Sequence, residues 1–326
     1  MSKIYNYQSK LAKPMEEYIA QKRALGRKYD KESKIFYEFD VFLHKHSLQD
    51  AELPKSIVED WITKRPNEKR KNQLYRLNFT KRFVRYLHKN GYTAYLPNLT
   101  ITSSDDSDFV PYIFSNDELA KLLAYFDNMK PSRQYPNGHL VLPLLFRTLA
   151  CCGLRVSEAT NLKLKDVDLT NGVLLIREAK NDKKRYVPMS KSLTNYFIHF
   201  YTAIHKCSEQ EDYFFPNARK GAYASNHFYD RFREALWHCG IEHKGRGYGP
   251  RVHDLRHTFA VRCMQKFDKN KKDIVLSLPY LSAYLGHYDI SKTQKYLHLI
   301  AEHYPEIIKK QCEYLGDTIP VWEVGV

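Results

Sequence analysis

The chain opens with four stretches whose apolar residues recur at three- and four-residue intervals. Met15, Tyr18, Ile19 and Leu25 follow Pro14 and precede Gly26, which marks a first helix with Pro14 at its first helical position. Ile35, Phe36, Phe39, Phe42 and Leu43 place an apolar stripe on a second helix. Ile57, Val58, Trp61 and Ile62 do the same for a third, and Leu74, Leu77, Phe83, Val84 and Leu87 for a fourth. The polar, acidic stretch ITSSDDSDFVP, residues 101–111, breaks the pattern and reads as a linker. Ser115 and Glu118 then form a Ser-x-x-Glu capping signal ahead of Leu119, Leu122, Leu123 and Phe126, so a new helix opens a new domain. The run HLVLPLLFRTLACC reads as a buried helix closed at Gly153. Val173 to Ile176 and Arg185 to Val187 read as the strands of a hairpin that turns around Asn181 and Asp182. Helical periodicity resumes near His253 and continues to a final helix carrying Ile307, Ile308 and Leu315. The expected fold is mainly α with a small β-sheet: a helical domain over 1–104, a linker over 105–111, and a mixed α/β domain over 112–326.

Composition narrows the setting. With 326 residues, 43% of them hydrophobic, the chain can bury cores for two domains. Its longest apolar run, LVLPLLF at 140–146, is too short to cross a bilayer, and MSKIYNYQSK lacks the apolar centre of a secretory signal. A cytoplasmic protein, nucleoid-associated if bacterial, is the expectation. The six cysteines include no CxxC pair, which leaves reduced and mostly buried thiols rather than a zinc or redox site. A formal charge of +15 calls for a polyanionic partner, because Lys and Arg contacts to phosphates release counterions. Charge alone leaves ribosomal, membrane-surface and DNA partners open. Between residues 61 and 90 lie ten Lys or Arg against one acid, Glu68, interleaved with aromatic residues. Lys69, Arg70, Lys71 and Arg76 are candidate phosphate contacts there; the plain alternative is a solvated helix face over a core.

Four segments carry chemistry: GLRVSEATNL (153–162), AKNDKKRYVP (179–188), HDLRHTFA (253–260) and LGHYDISKTQKYLH (285–298). In this order and combination they resemble the tyrosine recombinases, or phage integrases, over roughly residues 112–300. The helical, basic first hundred residues are compatible with that family's core-binding domain. The resemblance places its catalytic set on Arg155, Lys180, His253, Arg256, His287 and Tyr296. The family's hairpin usually reads Gly-Lys-Gly before Lys-x-Arg-x-Val-Pro. Here Ala179 and Asn181 flank Lys180, so Lys183 and Lys184 stay open as alternatives.

The residue types suit an attack on a phosphodiester. Forked guanidinium groups match the charge that develops on non-bridging oxygens, and Arg155 and Arg256 would hold those oxygens. His253 and Arg256, at i and i+3, would emerge on one helix face. A protonated tyrosine is a poor nucleophile, and His253 is the candidate to accept its proton. The 5′-hydroxyl leaving group needs a proton in return, which Lys180 would supply, while His287 would hydrogen-bond the phosphate and help position Tyr296. Glu158 reads as support for Arg155. His257 and His298 read as structural residues, and Lys183, Lys184 and Arg185 as a solvated, DNA-adjacent turn. Ser291 and Gln294 would cap the helix that bears Tyr296. On its own, Tyr296 would be one packing aromatic among 25 tyrosines; the whole constellation assigns it the nucleophile's part.

The resemblance implies a site-specific recombinase that cleaves and rejoins DNA through a covalent 3′-phosphotyrosyl intermediate and a Holliday junction. Such a reaction needs neither metal nor nucleotide cofactor, because the phosphotyrosyl bond keeps the energy of the bond it replaces. The implied partners are double-stranded DNA with specific recombination sites, three further copies of the chain in a tetramer linked by C-terminal helices, and accessory DNA-binding proteins, without a membrane. The sequence runs EEYIAQKRALGRKY and SLPYLSAYLGH point to integrases and transposases of mobile elements. The competing readings are a type IB topoisomerase-like nicking and resealing enzyme, and an inactive site-specific DNA-binding protein.

Overall fold

The computed structural model describes residues 5–46, 48, 50–101, 110–133, 135–177, 184–223, 225–243, 245, 249–291, 293, 294 and 296. The chain divides into two compact units, Met1–Phe109 and Val110–Val326. Most of the expected linker, and the whole C-terminal stretch with Ile307, Ile308 and Leu315, lie outside the described residues.

The first unit holds four helices: α1 (Ala12–Ala24), α2 (Asp30–Lys45), α3 (Lys55–Ile62) and α4 (Arg70–Lys89). Their apolar stripes meet in an aromatic core. Phe36 packs edge-on against Phe79 and Phe83 at centroid separations of 4.5 and 4.8 Å, and Phe39 lies 4.8 Å from Trp61. Trp61 is fully buried, and its indole N–H is satisfied by the Thr80 hydroxyl at 3.1 Å. Asp40 is buried as well; its two carboxylate oxygens accept the backbone N–H groups of Gln8 and Ser9 at 2.8 and 2.9 Å, which pins the chain before α1 to α2. Pro14 stands two residues further into α1 than expected. It is still within the first turn, where its missing N–H has no intrahelical partner to lose. Leu25, expected on the apolar face, caps α1 and is 69% exposed, because the helix ends before its turn reaches the core.

The second unit runs α5 (Asn116–Asp127), α6 (Gly138–Cys152), α7 (Val156–Thr160), a 3-10 turn (Leu164–Asp166), β1 (Val167–Asp168), β2 (Val173–Arg177), β3 (Lys184–Pro188), α8 (Lys191–Ile204), α9 (Ser225–His238), α10 (Asp254–Lys269) and α11 (Ile274–Leu285). The Ser115 and Glu118 capping box that opens α5 is fully formed. At the centre lies α6, whose composition is apolar on nearly every face and which packs against α5, α8 and α10. Phe146 stacks on Phe126 at 4.0 Å and on Phe232 at 5.8 Å. The antiparallel sheet, in the order β1-β2-β3, turns Leu174, Ile176 and Val187 into this core. The two-residue strand β1 is too short to announce itself by alternation. A separate apolar cluster forms between α10 and α11 from Ala260, Val261, Met264, Leu278, Leu281 and Leu285, and the ring of Tyr296 completes it. The architecture is mainly helical with one small sheet, and among the described residues no helix is long and apolar enough to cross a membrane. The cysteines depart from expectation: of the described ones Cys152 is buried, whereas Cys151 and Cys207 are exposed, because Cys151 falls on the outer side of α6.

Gly153 closes α6 in the left-handed region at φ +59°, and a Cβ built there would lie 2.4 Å from the ring of Phe259. Backbone conformation and packing therefore both require glycine. Gly153→Ala is expected to lower unfolding free energy by about 2 to 4 kcal/mol, as measured by denaturant titration, since strain and overpacking add.

Candidate active site

Three arginines from three elements meet at one carboxylate. After Gly153 the chain extends for two residues, and Arg155 takes the cap position of α7 at φ −69°, ψ 148°. Glu158, one turn on, accepts the Arg155 backbone N–H at 2.9 Å and its Nη1 at 2.6 Å. From β3, Arg185 donates through Nη1 and Nη2 to the two Glu158 oxygens at 3.1 and 2.8 Å, and through Nε to the Tyr284 carbonyl at 2.8 Å. Arg256, in the first turn of α10, brings its Nη1 to 3.8 Å from the same carboxylate. Its guanidinium is oriented by two backbone acceptors, the carbonyls of Gly153 and Leu285. Arg155 Nη2 donates to the Gly286 carbonyl at 2.9 Å.

Burial raises the tendency of Glu158 to protonate, but Arg185 and then Arg155 outweigh it and hold the carboxyl below the usual range. Arg256 is 1% exposed. Burial, and then repulsion from Arg155, push its pKa down to about 10, so it stays cationic at neutral pH.

The second half of the site hangs from the end of α11. Gly286 at φ +66° reverses the chain, with the His287 N–H returning to the Ser282 carbonyl at 3.0 Å. The following turn is capped two residues earlier than the sequence suggested. Asp289 accepts from the Ser291 N–H at 3.0 Å and from its hydroxyl at 2.7 Å, and the Gln294 N–H bonds to the Ile290 carbonyl at 3.0 Å. The expected Ser291 and Gln294 box is therefore replaced by an Asp289 cap, whose ionised oxygen is the stronger acceptor. His287 Nδ1 lies 2.7 Å from the hydroxyl of the buried Thr293, and its ring stacks near Tyr296 at 6.3 Å. Tyr296 is 3% exposed. Burial raises its pKa, and the nearby Arg256 and Arg155 pull in the opposite direction. Its hydroxyl stands 2.9 Å from Nδ1 of His257.

A cleft of about 460 Å³ opens over Arg155, Val156, Ser157, Thr160, Tyr223, Tyr229 and His253. His253 caps α10 and reaches solvent at this mouth, with its ring 4.9 Å from that of His257. Although solvent reaches one edge, the surrounding protein mass and then Arg256, Arg251 and Arg155 push its pKa down to about 4. A cleft floored by a guanidinium, with a second one and a phenol behind it, is shaped for a phosphate and a nucleophile.

The sequence pattern of the phage integrase family matches residues 113–303. The chain belongs to the phage integrase family. Membership makes it an enzyme of the tyrosine recombinase class. It is 28% identical over 307 residues to an integrase/recombinase, y4rB, of Sinorhizobium fredii, covering 92% of this chain and 95% of that protein. Over 240 residues it is 28% identical to the tyrosine recombinase XerC of Oceanobacillus iheyensis, covering 72% of each. Among solved structures, the fold is similar to the Tn1549 transposon integrase in complex with transposon right end DNA, with TM-score 0.61, 15% identity, and 87% and 94% of the two chains covered. It is likewise similar to XerH recombinase bound to a palindromic difH substrate, with TM-score 0.60, 18% identity, and 88% and 81% covered.

In this tyrosine recombinase the structure brings Arg155, Arg256, His253, His287 and Tyr296 into one region, with Glu158 bonded to Arg155 and close to Arg256. Lys180 and Lys183 lie outside the described residues; Lys184 opens β3 and is exposed. In the first unit Lys69, Arg70 and Lys71 are exposed at the start of α4. Arg76 is not available to DNA there. It is 5% exposed, paired with Glu68 at 2.6 Å and bonded to the Thr63 carbonyl, because its position on α4 falls on the core face beside Leu77 and Thr80. Arg185 likewise corrects the picture of a solvated turn: it is mostly buried and joins Glu158 to α11. Strand alternation carried that signal, since Arg185 shares a face with Val187. The contact of His257 with Tyr296 had a weaker signal, its place on the same helix stripe as Val261 and Met264.

Two outcomes test this arrangement. Removing Glu158 leaves buried guanidinium groups uncompensated, so Glu158→Ala is expected to lower stability by about 3 kcal/mol in denaturant titration. The second concerns pH. Burial, then His253, Arg251 and Arg256, push the pKa of His257 down to about 3, below the value near 6.5 of an unfolded chain. The unfolded chain therefore binds the proton first. The contribution is fully present above pH 6.5 and falls as pH drops toward 3, with a slope of up to about 1.4 kcal/mol per pH unit. Unfolding measured across pH 4 to 7 is expected to lose part of that slope in His257→Gln.

Proposed function

We propose that this enzyme is a site-specific DNA recombinase of a mobile element, in which Tyr296 attacks a phosphodiester and forms a 3′-phosphotyrosyl intermediate. The observation that carries the reading is the meeting of Tyr296, Arg256 and Arg155 below a cleft that His253 lines. The DNA-bound states named for the Tn1549 integrase and XerH support DNA as the substrate. So does the net charge of +15.

In the proposed reaction the scissile phosphate enters the cleft and its non-bridging oxygens take N–H donors from Arg155 and Arg256. Both guanidiniums are already oriented by backbone carbonyls, so little reorganisation accompanies charge development. Loss of one such donor costs roughly 3 to 4 kcal/mol of transition-state stabilisation. The Tyr296 oxygen bonds to phosphorus, the bond to the 5′ oxygen breaks, and Lys180 protonates that oxygen. His287, fixed by Thr293, hydrogen-bonds the phosphate. The freed 5′-hydroxyl of a second duplex then reverses the chemistry on a new partner, and two rounds pass through a Holliday junction. Two duplexes need four active sites, so the working form is a homotetramer on DNA, with accessory DNA-binding proteins as further partners. The first unit serves as the core-binding clamp, contacting phosphates through Lys69, Arg70 and Lys71; Lys184 does so beside the catalytic hairpin.

The test uses nicked duplexes drawn from DNA flanking the chain's own gene, which trap a covalent adduct when the cleaved strand is lost. The native chain is expected to form the adduct and Tyr296→Phe none; an adduct that survives this substitution removes Tyr296 as the nucleophile. Lys180→Ala is expected to cleave at least about 10²-fold more slowly, with recovery on a 5′-thiol leaving group. Relaxation of supercoiled DNA without exchange between duplexes would turn the reading to a topoisomerase.

A further inference from the structure

Tyr296 has one proton to lose, and its hydroxyl lies 2.9 Å from Nδ1 of His257. The rings are tilted, with centroids 5.4 Å apart. Tyr296 is buried among apolar side chains and is protonated in this resting arrangement, so its O–H donates and Nδ1 accepts. An accepting Nδ1 places the imidazole hydrogen on Nε2. That nitrogen faces Asp254 Oδ1 at 4.0 Å. Asp254 is fully buried and held by Arg251, whose backbone N–H donates at 2.8 Å and Nη2 at 3.1 Å. The phenol is thus hydrogen-bonded to the imidazole, and the fixed carboxylate, beyond hydrogen-bond reach, acts on that ring through its charge. His253, by contrast, opens into the cleft beside Arg155, where a phosphate would meet it.

Resting on the reading of Tyr296 as nucleophile, we propose that His257, and not His253, takes the proton of Tyr296 during cleavage and returns it during ligation. As the bond from Oη to phosphorus forms, the O–H electron pair stays on Oη and the proton passes to Nδ1. The bond to the 5′ oxygen breaks, and that oxygen is protonated by the separate donor. Imidazolium and Asp254 then face one another. When a 5′-hydroxyl attacks the phosphotyrosine, the Nδ1 proton goes back to Oη. The charged and titratable groups around His257 are Asp254 and Arg256 on α10, His253 and Arg251 before it, and His287 after α11. In the free enzyme the cations among them oppose protonation of His257. A phosphate seated on Arg155 and Arg256 cancels part of that opposition, so basicity appears when substrate is in place.

The test is single-turnover cleavage of the nicked duplex by the full chain. His257→Gln keeps an acceptor for the phenol but no base; it is expected to bind DNA with unchanged Kd and form the adduct 10²- to 10⁴-fold more slowly. Its rate is expected to climb with pH toward the phenol pKa, and to recover when Tyr296 is replaced by a fluorinated tyrosine of lower pKa. Wild-type rate in His257→Gln, or a deficit that the fluorinated phenol leaves untouched, overturns the proposal. Should that variant fail to fold, His253→Gln decides: the acid limb of its pH–rate profile is expected to persist, and its disappearance overturns the proposal. Tyr296→Phe run in parallel separates the two readings. An adduct there removes the nucleophile, whereas a dead Tyr296→Phe beside a fully active His257→Gln removes only the base.

Discussion

Everything in the second unit's site depends on a single buried carboxylate standing among three guanidinium groups. Arg155, Arg185 and Arg256 bring three positive charges together, and among the described residues Glu158 is a carboxylate that bonds or closely approaches all of them. Two unit charges about 4 Å apart interact by about 4 kcal/mol at an effective dielectric near 20, so the carboxylate offsets a large part of the repulsion among the arginines. Arg155 also lines the cleft, so one guanidinium of the cluster is open to an incoming phosphate. The same carboxylate also caps α7 through the Arg155 N–H, so the electrostatic anchor and the local backbone are one feature.

Four further guanidinium N–H groups donate to backbone carbonyls, and those carbonyls have a common origin. Gly153 terminates α6, and Tyr284, Leu285 and Gly286 terminate α11. Helix C-termini expose unpaired carbonyls and the negative end of the helix dipole. Two such ends converge on the arginines. This explains why both helices finish in left-handed glycines: the reversal turns the final carbonyls toward the cluster and frees the chain to leave at once, into α7 in one case and toward His287 and Tyr296 in the other. Arg185 adds a third tie, since one side chain connects β3, Glu158 and α11. The hairpin strand and the segment leading to the tyrosine therefore share an anchor.

Much of this was legible in one dimension where a residue's own backbone state decided the outcome. Gly153 and Gly286 mark reversals that other residues resist, Ser115 with Glu118 announces α5, and the hairpin strands declare their inward faces by alternation. The convergence of Arg155, His253, Arg256, His287 and Tyr296 was legible from ordered motifs rather than periodicity. Partners were harder to see, because periodicity assigns a face but not what lies across from it. Arg76 counted as surface charge until its place on the core face of α4 was known, and Arg185 looked like a turn residue although strand alternation turned it inward. Asp289 took the cap from Ser291 because two polar residues two positions apart competed for one helix end and the carboxylate bonded more strongly. The contact of His257 with Tyr296 joins α10 to the segment after α11, which periodicity does not report.

The burial of Tyr296 follows from the same electrostatic problem. A phenolate resting against Arg256 and Arg155 would form an ion pair with the donors that a phosphate needs, and substrate would have to break that pair before binding. Seating the ring in the apolar cluster between α10 and α11 raises the phenol pKa against the pull of the two arginines. The phenol thus rests as a neutral group beside His257, and Arg155 keeps its charge at the cleft. In the proposed reaction, the phosphate supplies the anion that the cluster lacks, and only then does transferring the tyrosine proton create no surplus of like charge. Desolvation and cation placement, opposing terms in the pKa of one phenol, together make reactivity conditional on substrate.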